Sequence, residues 1–149
     1  MLRYEYRSAE FLILLRKRKV VSLNLVLIPI DGSIRSEKSI EFASSILDHS
    51  IKIIVFHVMK PGGNFDEANT FVNRAKDTLE KSGFKNIKTE IAESLSDPSE
   101  EIMSMISREN IDFVVISAYG YGKSEECNEI GSVTMAVVNQ AKCSIIVVK

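Results

Sequence analysis

The chain has 149 residues, 45% of them hydrophobic and 26% charged, which excludes wholesale disorder and fits one domain with a real core. Its two cysteines have no C-x-x-C spacing and its two histidines lie far apart, which excludes a standard zinc site. The net charge of -1 hides a split between residues 1–20, with six basic and two acidic side chains, and a remainder with 13 basic and 18 acidic ones. That acidic body excludes a general nucleic-acid binder, because phosphate backbones would repel it.

Residues 1–23 read as a basic N-terminal extension ahead of a domain at 24–149. Within it, residues 3–20 could form a basic amphipathic helix, with Phe11, Leu12 and Leu15 on one side and Arg16-Lys17-Arg18-Lys19 following. Such a helix could touch an anionic membrane surface or a partner; the favoured reading is a helix or flexible tail packed on its own domain or dimer, or a leader reflecting an upstream start codon. No segment reaches the roughly 18 apolar residues of a membrane span. The basic cluster follows the apolar run, whereas a secretory signal puts its basic residues first. A cytoplasmic location without stable membrane insertion is expected.

Leu25-Val26-Leu27-Ile28-Pro29-Ile30 is a nearly continuous apolar strand ended by Asp31-Gly32-Ser33. A helix from Ser36 to Leu47 carries Ile40, Ala43 and Leu47 on one side. The second strand, Ile51 to Val58, stops at Pro61-Gly62-Gly63, and Ala68, Phe71, Val72, Ala75 and Leu79 then form a second helical stripe. Ile87 to Ala92 alternates, as a strand at a sheet edge would. Asp97-Pro98-Ser99-Glu100 combines an N-cap acid, a first-turn proline and a Glu at the third position, so a helix starts there and turns Ile102 and Ile106 inward. A strand at Asp112 to Ser117, a helix at Ser132 to Gln140 with Val133, Ala136 and Val137 inward, and a strand at Ser144 to Val148 complete the chain. Strands this apolar on both faces belong to a parallel sheet covered on both sides. The β-α alternation with right-handed crossovers therefore predicts a doubly wound α/β fold with five parallel strands.

Open sheets of this kind bind ligands beyond the carboxyl ends of their strands, where strand order reverses. Two loops qualify: Asp31-Gly32-Ser33, and Ala118 to Ser132. In the second, Gly131-Ser132 sits where a helix begins, and free N–H groups there would favour an anion such as phosphate. The same residues also read as an ordinary glycine-bearing loop that caps a helix.

Residues 24 to 149 resemble the universal stress protein family. Leu27-Ile28-Pro29-Ile30-Asp31-Gly32-Ser33 is similar to the family's opening V-P-x-D-G-S turn, and Phe56-His57-Val58 to its L-H-V. Ser96-Asp97-Pro98 with Glu101-Ile102 resembles G-D-P…E-I. Gly131-Ser132-Val133 and Ala141 to Val148 resemble the closing G-S-V…A-x-C-P-V-L-V-V. The resemblance implies a flavodoxin-like fold, related to the adenine nucleotide alpha hydrolases, with strand order 3-2-1-4-5.

For function, the resemblance implies a regulatory protein that binds ATP or a related adenine nucleotide. Asp31 would hold the ribose, and Pro29 and Val58 would lie around the adenine, with the main chain of Val58 reading its polar edge. The family's phosphate loop is G-x2-G-x9-G-[S/T]. In one register Ser117 replaces the first Gly and Gly120 is the second, with ten residues before Gly131. In the other Gly122 is the second, with eight residues between. Gly131 and Ser132 close the motif in both, and Val133 follows them as a further candidate binding residue. Glu125, Glu126 and Glu129, against Lys123, would repel a phosphate, or would help to hold it through a bound Mg²⁺. The alternatives are a nucleotide-free dimeric interaction module and a slow nucleotide hydrolase. The resemblance also implies a homodimer through the last strand, whose apolar edge would otherwise be open.

Outside that set, His57 reads as a structural residue at a strand end, His49 lies in a turn, and Cys143 is expected to be buried. Cys127 is a candidate accessible thiol. Tyr119 and Tyr121 would stack on a base or cover the sheet edge. No nucleophile–base pair can be assembled, so no catalytic residue is assigned.

Overall fold

The computed structural model describes residues 2–4, 11–15, 24–121 and 129–149, the first two segments by their backbone alone. In chain order they form β1 (Leu2–Tyr4), β2 (Phe11–Leu15), β3 (Leu25–Ile30), α1 (Ile34–Ile46), β4 (Lys52–Met59), α2 (Phe65–Lys81), β5 (Ile87–Glu93), α3 (Pro98–Arg108), β6 (Phe113–Ser117), α4 (Ser132–Gln140) and β7 (Ser144–Val148). Five strands run parallel in the order β5-β4-β3-β6-β7, which is 3-2-1-4-5 when these five are counted along the chain. The fold is the doubly wound α/β sheet that the sequence pattern predicts.

Because side chains alternate across a strand, each central strand feeds two cores. Val26, Ile28, Ile53, Val55 and Val115 pack with Ile40 and Ala43 of α1 and with Val72, Ala75 and Leu79 of α2. On the other face Leu27, Ile54, Val114, Ile116, Ile145 and Val147 pack with Ile102, Met105 and Ile106 of α3 and with Val137 of α4. Strand β5 pairs with β4 alone and is the far edge. Asp112 ties the starts of β3 and β6 together, accepting from the N–H groups of Asn24 and Leu25 at 3.1 and 3.0 Å.

Helix α1 starts two residues before the predicted Ser36, because Ser33 is its cap and accepts from the N–H of Ser36. Asn64 caps α2, accepting from the N–H groups of Asp66 and Glu67. Asp97 caps α3, with Pro98 in the first turn as the sequence suggests.

The N-terminal extension departs from expectation. Within residues 3–20, read from the sequence as able to form a helix, the described residues 3–4 and 11–15 lie in strands β1 and β2. Strand β2 pairs antiparallel with β7, Phe11 opposite Val148 and Leu14 opposite Ile145, and β1 lies outside it. The physical reason is the one invoked for a dimer: an apolar parallel strand with an open row of N–H and C=O groups recruits a pairing strand. That strand comes from the same chain, so the open β7 edge expected to pair with a second copy is already occupied. The cluster at 16–19 lies outside the described residues. Among the described residues no helix is long and apolar enough to cross a membrane.

Candidate functional site

The site begins with a proline in a central strand. The N–H of Lys52 donates to the Asn24 carbonyl and that of Asp112 to the Leu25 carbonyl, so odd-numbered residues of β3 face β6. Pro29 is odd-numbered and has no N–H to give. Pairing between β3 and β6 is recorded at Val26–Phe113 and Leu27–Val114, and stops short of Pro29. Beyond that point a crevice of about 410 Å³ opens at the carboxyl ends, at the point of strand-order reversal. Apolar Pro29, Phe56, Val58, Ile102 and Ile116 contribute to its lining, together with Asp31, Lys60 and the loop after β6.

Asp31 joins the two loops. Its Oδ1 accepts from the N–H of Ser33 at 2.9 Å and from the Ser33 hydroxyl, which makes the tight Asx-type turn. Its Oδ2 accepts from the N–H of Tyr121 at 3.0 Å, and the Tyr121 hydroxyl donates to the Gly32 carbonyl at 3.2 Å. Two glycines allow this closeness. Gly32 has φ +84°, and a Cβ there would sit 2.3 Å from the Phe71 ring. A Cβ on Gly120 would sit 2.7 Å from Asp31 Oδ2.

Across the crevice stands the start of α4. Its N-cap is Gly131, which offers no side-chain acceptor, and its first turn holds no acid. The N–H of Gly131 goes to the Ala118 carbonyl at 2.8 Å, and the Thr134 hydroxyl donates to the Ser117 carbonyl at 2.7 Å, which pins the helix against β6. Ser117, in the first glycine's place, spends its own hydroxyl on the Tyr119 carbonyl at 2.7 Å. A Cβ on Gly131 would meet the Ala118 carbonyl at 3.5 Å, ordinary contact, so packing alone does not demand glycine there.

Eight of the nine candidate binding residues, Pro29, Asp31, Val58, Ser117, Gly120, Gly131, Ser132 and Val133, therefore line one crevice. The ninth, Gly122, lies outside the described residues, as do Lys123, Glu125, Glu126 and Cys127; Glu129 is described and exposed. Lys60 was not singled out from the sequence, yet it is the one cation lining the crevice among the described residues. Its place just after β4, at a carboxyl end, is the signal that could have found it. Tyr121 reaches Gly32, while Tyr119 lies under the Arg35 guanidinium, 5.3 Å from ring centroid to Cζ.

His57 is buried, with Nδ1 2.9 Å from the Ile30 carbonyl and its ring edge-on to Phe71. A carbonyl only accepts, so Nδ1 carries the proton and the ring is held in one tautomer. Cys143 is buried and not in a disulfide. At the start of α3, the Ser99 hydroxyl and N–H hold the Asp97 carboxyl below its ordinary range.

A parallel sheet in this strand order, with a crevice at its reversal point, defines a flavodoxin-like α/β domain. The universal stress protein family model matches residues 24–149, and the chain belongs to that family. Among solved structures it is similar to hypothetical protein MJ0577, the subject of a structure-based assignment of biochemical function, at 24% identity and TM-score 0.76 over 87% of this chain and 97% of that one. A universal stress protein in complex with cAMP is 20% identical, with TM-score 0.71 over 86% and 98% of the two chains. The universal stress protein from Archaeoglobus fulgidus in complex with dAMP is 18% identical, with TM-score 0.67 over 87% and 100%. At these identities the likeness is one of fold. No curated protein sequence matches the chain.

Proposed function

We propose that this protein is a cytoplasmic regulatory protein that binds an adenine nucleotide, ATP or a relative of it, in the crevice between β3 and β6. The observation that carries the reading is the union, in one crevice, of apolar walls at Pro29 and Val58 with the uncapped N-terminus of α4. Apolar walls suit a base, and unpaired N–H groups backed by a helix dipole suit phosphate oxygens. A volume of about 410 Å³ lies within the usual range for small-ligand sites. Two structurally similar proteins are complexes with adenine nucleotides, cAMP and dAMP, which supports the same ligand class. In this reading Asp31 holds the ribose, Pro29 and Val58 flank the adenine, and Gly131, Ser132 and Val133 face the phosphates. Ser117 and Gly120 set the loop, and any Mg²⁺ would sit with the phosphates.

Denaturing the purified protein and assaying the supernatant for adenine nucleotide is the first test. Calorimetric titration with ATP and AMP, with and without Mg²⁺, follows on the native chain and on Asp31→Ala. Asp31 braces both loops, so thermal melting must show that the variant is folded. Saturable binding weakened at least tenfold in folded Asp31→Ala supports the assignment. Absence of binding in every condition overturns it.

A further inference from the structure

We propose a second anion site beside the crevice, built for a phosphate group and centred on Arg35, Lys38 and Lys149. A separate cavity of about 190 Å³ is lined by these three cations together with Ser117 and Tyr119. No acidic side chain lines it among the described residues. Arg35 and Lys38 come from α1, while Tyr119 follows β6 and Lys149 follows β7, so three segments of the fold converge there.

No side-chain ion pair neutralises these charges among the described residues; those recorded involve Arg74, Lys76, Lys88 and Arg108 instead. Arg35 is half-buried, and its Nη1 nitrogen is shielded from water with no hydrogen-bond partner. A buried N–H left unmade is costly, the more so on a charged group. The guanidinium lies over the Tyr119 ring, 5.3 Å from Cζ to the centroid, a contact that satisfies none of its N–H donors. A tetrahedral oxyanion in the cavity supplies what is missing: acceptors for the guanidinium fork and charge for two lysines. The cavity has room for one such group with water.

Ser117 and Tyr119 line both this cavity and the nucleotide crevice. The phosphate group could thus be free, or tethered to a nucleoside lying in the crevice. The site stands on its own residues and does not require the nucleotide reading.

The test uses the full chain in chloride buffer, titrated with inorganic phosphate at constant ionic strength and followed by amide NMR and calorimetry. Saturable binding with the largest shifts at Tyr119 and Lys149 is expected. Arg35→Gln should weaken it roughly tenfold or more, the scale of a lost charge-assisted hydrogen bond. Lys38 is exposed, so Lys38→Glu repeats the test without disturbing the shielded guanidinium, again with a loss of roughly tenfold. Adenosine, which carries no phosphate, should bind both variants as it binds the native chain; if it binds none of them, the crevice reading fails while the phosphate result stands. Phosphate that competes with ATP, together with an ATP-specific loss in the variants, identifies the tethered source, and phosphate that binds alongside ATP identifies the free one. No phosphate binding by the native chain, or binding unchanged in folded Lys38→Glu and Arg35→Gln, overturns the site.

Discussion

Two helix N-termini border the same crevice and are finished in opposite ways. Helix α3 begins with Pro98, which lines the crevice and has no N–H to satisfy, while the Asp97 carboxylate accepts from the N–H of Ser99 at 2.9 Å. Glu100 and Glu101 add negative charge to its first turn. Helix α4 begins with Gly131, no side-chain cap and no acid. Both ends face the same space, yet α3 is closed by its own sequence and α4 is left open. A glycine N-cap gives up only a few tenths of a kcal/mol of helix stability relative to an Asp cap. The difference separates a helix end closed by its own sequence from one that, in the function proposed, a ligand would close.

The sharpest way to break the comparison is to give α4 the ending of α3. In Gly131→Asp a carboxylate caps the helix and occupies the place proposed for phosphate. The fold should gain a few tenths of a kcal/mol, and affinity for an adenine nucleotide should fall about 100-fold, roughly 2.7 kcal/mol, by calorimetry. Unchanged affinity would mean that the open end of α4 holds no phosphate. Next in size is Gly120→Ala. Its Cβ would lie 2.7 Å from Asp31 Oδ2 and would push apart the acid and the N–H of Tyr121. Overpacking of this kind costs about 1–3 kcal/mol, read by urea unfolding. A third variant opens α3 instead: Asp97→Ala should lose about 1 kcal/mol of stability and keep nucleotide affinity. Parallel loss of both would mean that the two ends are not separable.

Much of this was legible in the sequence, and the exceptions have physical causes. The cap at Asp97 and the turn at Asp31-Gly32-Ser33 rest on local hydrogen bonds within three residues, so local pattern reveals them. The openness of α4 was legible only as Gly131 at a helix start, because what a cap does not do leaves no local mark. The bond from Tyr121 to Asp31 spans 90 positions and depends on how two loops meet, which no periodicity encodes. Pro29 was recognised as a strand residue, but its effect on β6 follows from which neighbour its missing N–H would face. The N-terminal extension misled for another reason. Leu-rich Phe11–Leu15 has good helix propensity, and the choice of strand was made by β7 as a template far along the chain.

The smallest effect tests the electrostatic half of the comparison. Hydrogen bonds from the Ser99 hydroxyl and N–H hold the Asp97 carboxyl below its ordinary 3.8, burial opposing them more weakly. A carboxylate whose folded pKa lies below its unfolded value contributes stability that is present above the unfolded pKa. That contribution is lost as pH falls through the folded pKa, because the unfolded chain then takes up the proton first. The Asp48 and Glu90 carboxyls are likewise held low and add the same sign of acid sensitivity, so the native curve alone cannot isolate Asp97. Asp97→Asn can: asparagine caps about as well, carries no charge and does not titrate. At neutral pH the variant should lose only the charge–dipole part, about 0.3–1 kcal/mol, and the gap to the native chain should shrink as pH falls from 5 towards the folded pKa. Unfolding curves at stepped pH check this. A constant gap would mean that the charge of Asp97 contributes nothing and that its cap is purely geometric. The α4 end would then differ from the α3 end only in lacking an acceptor.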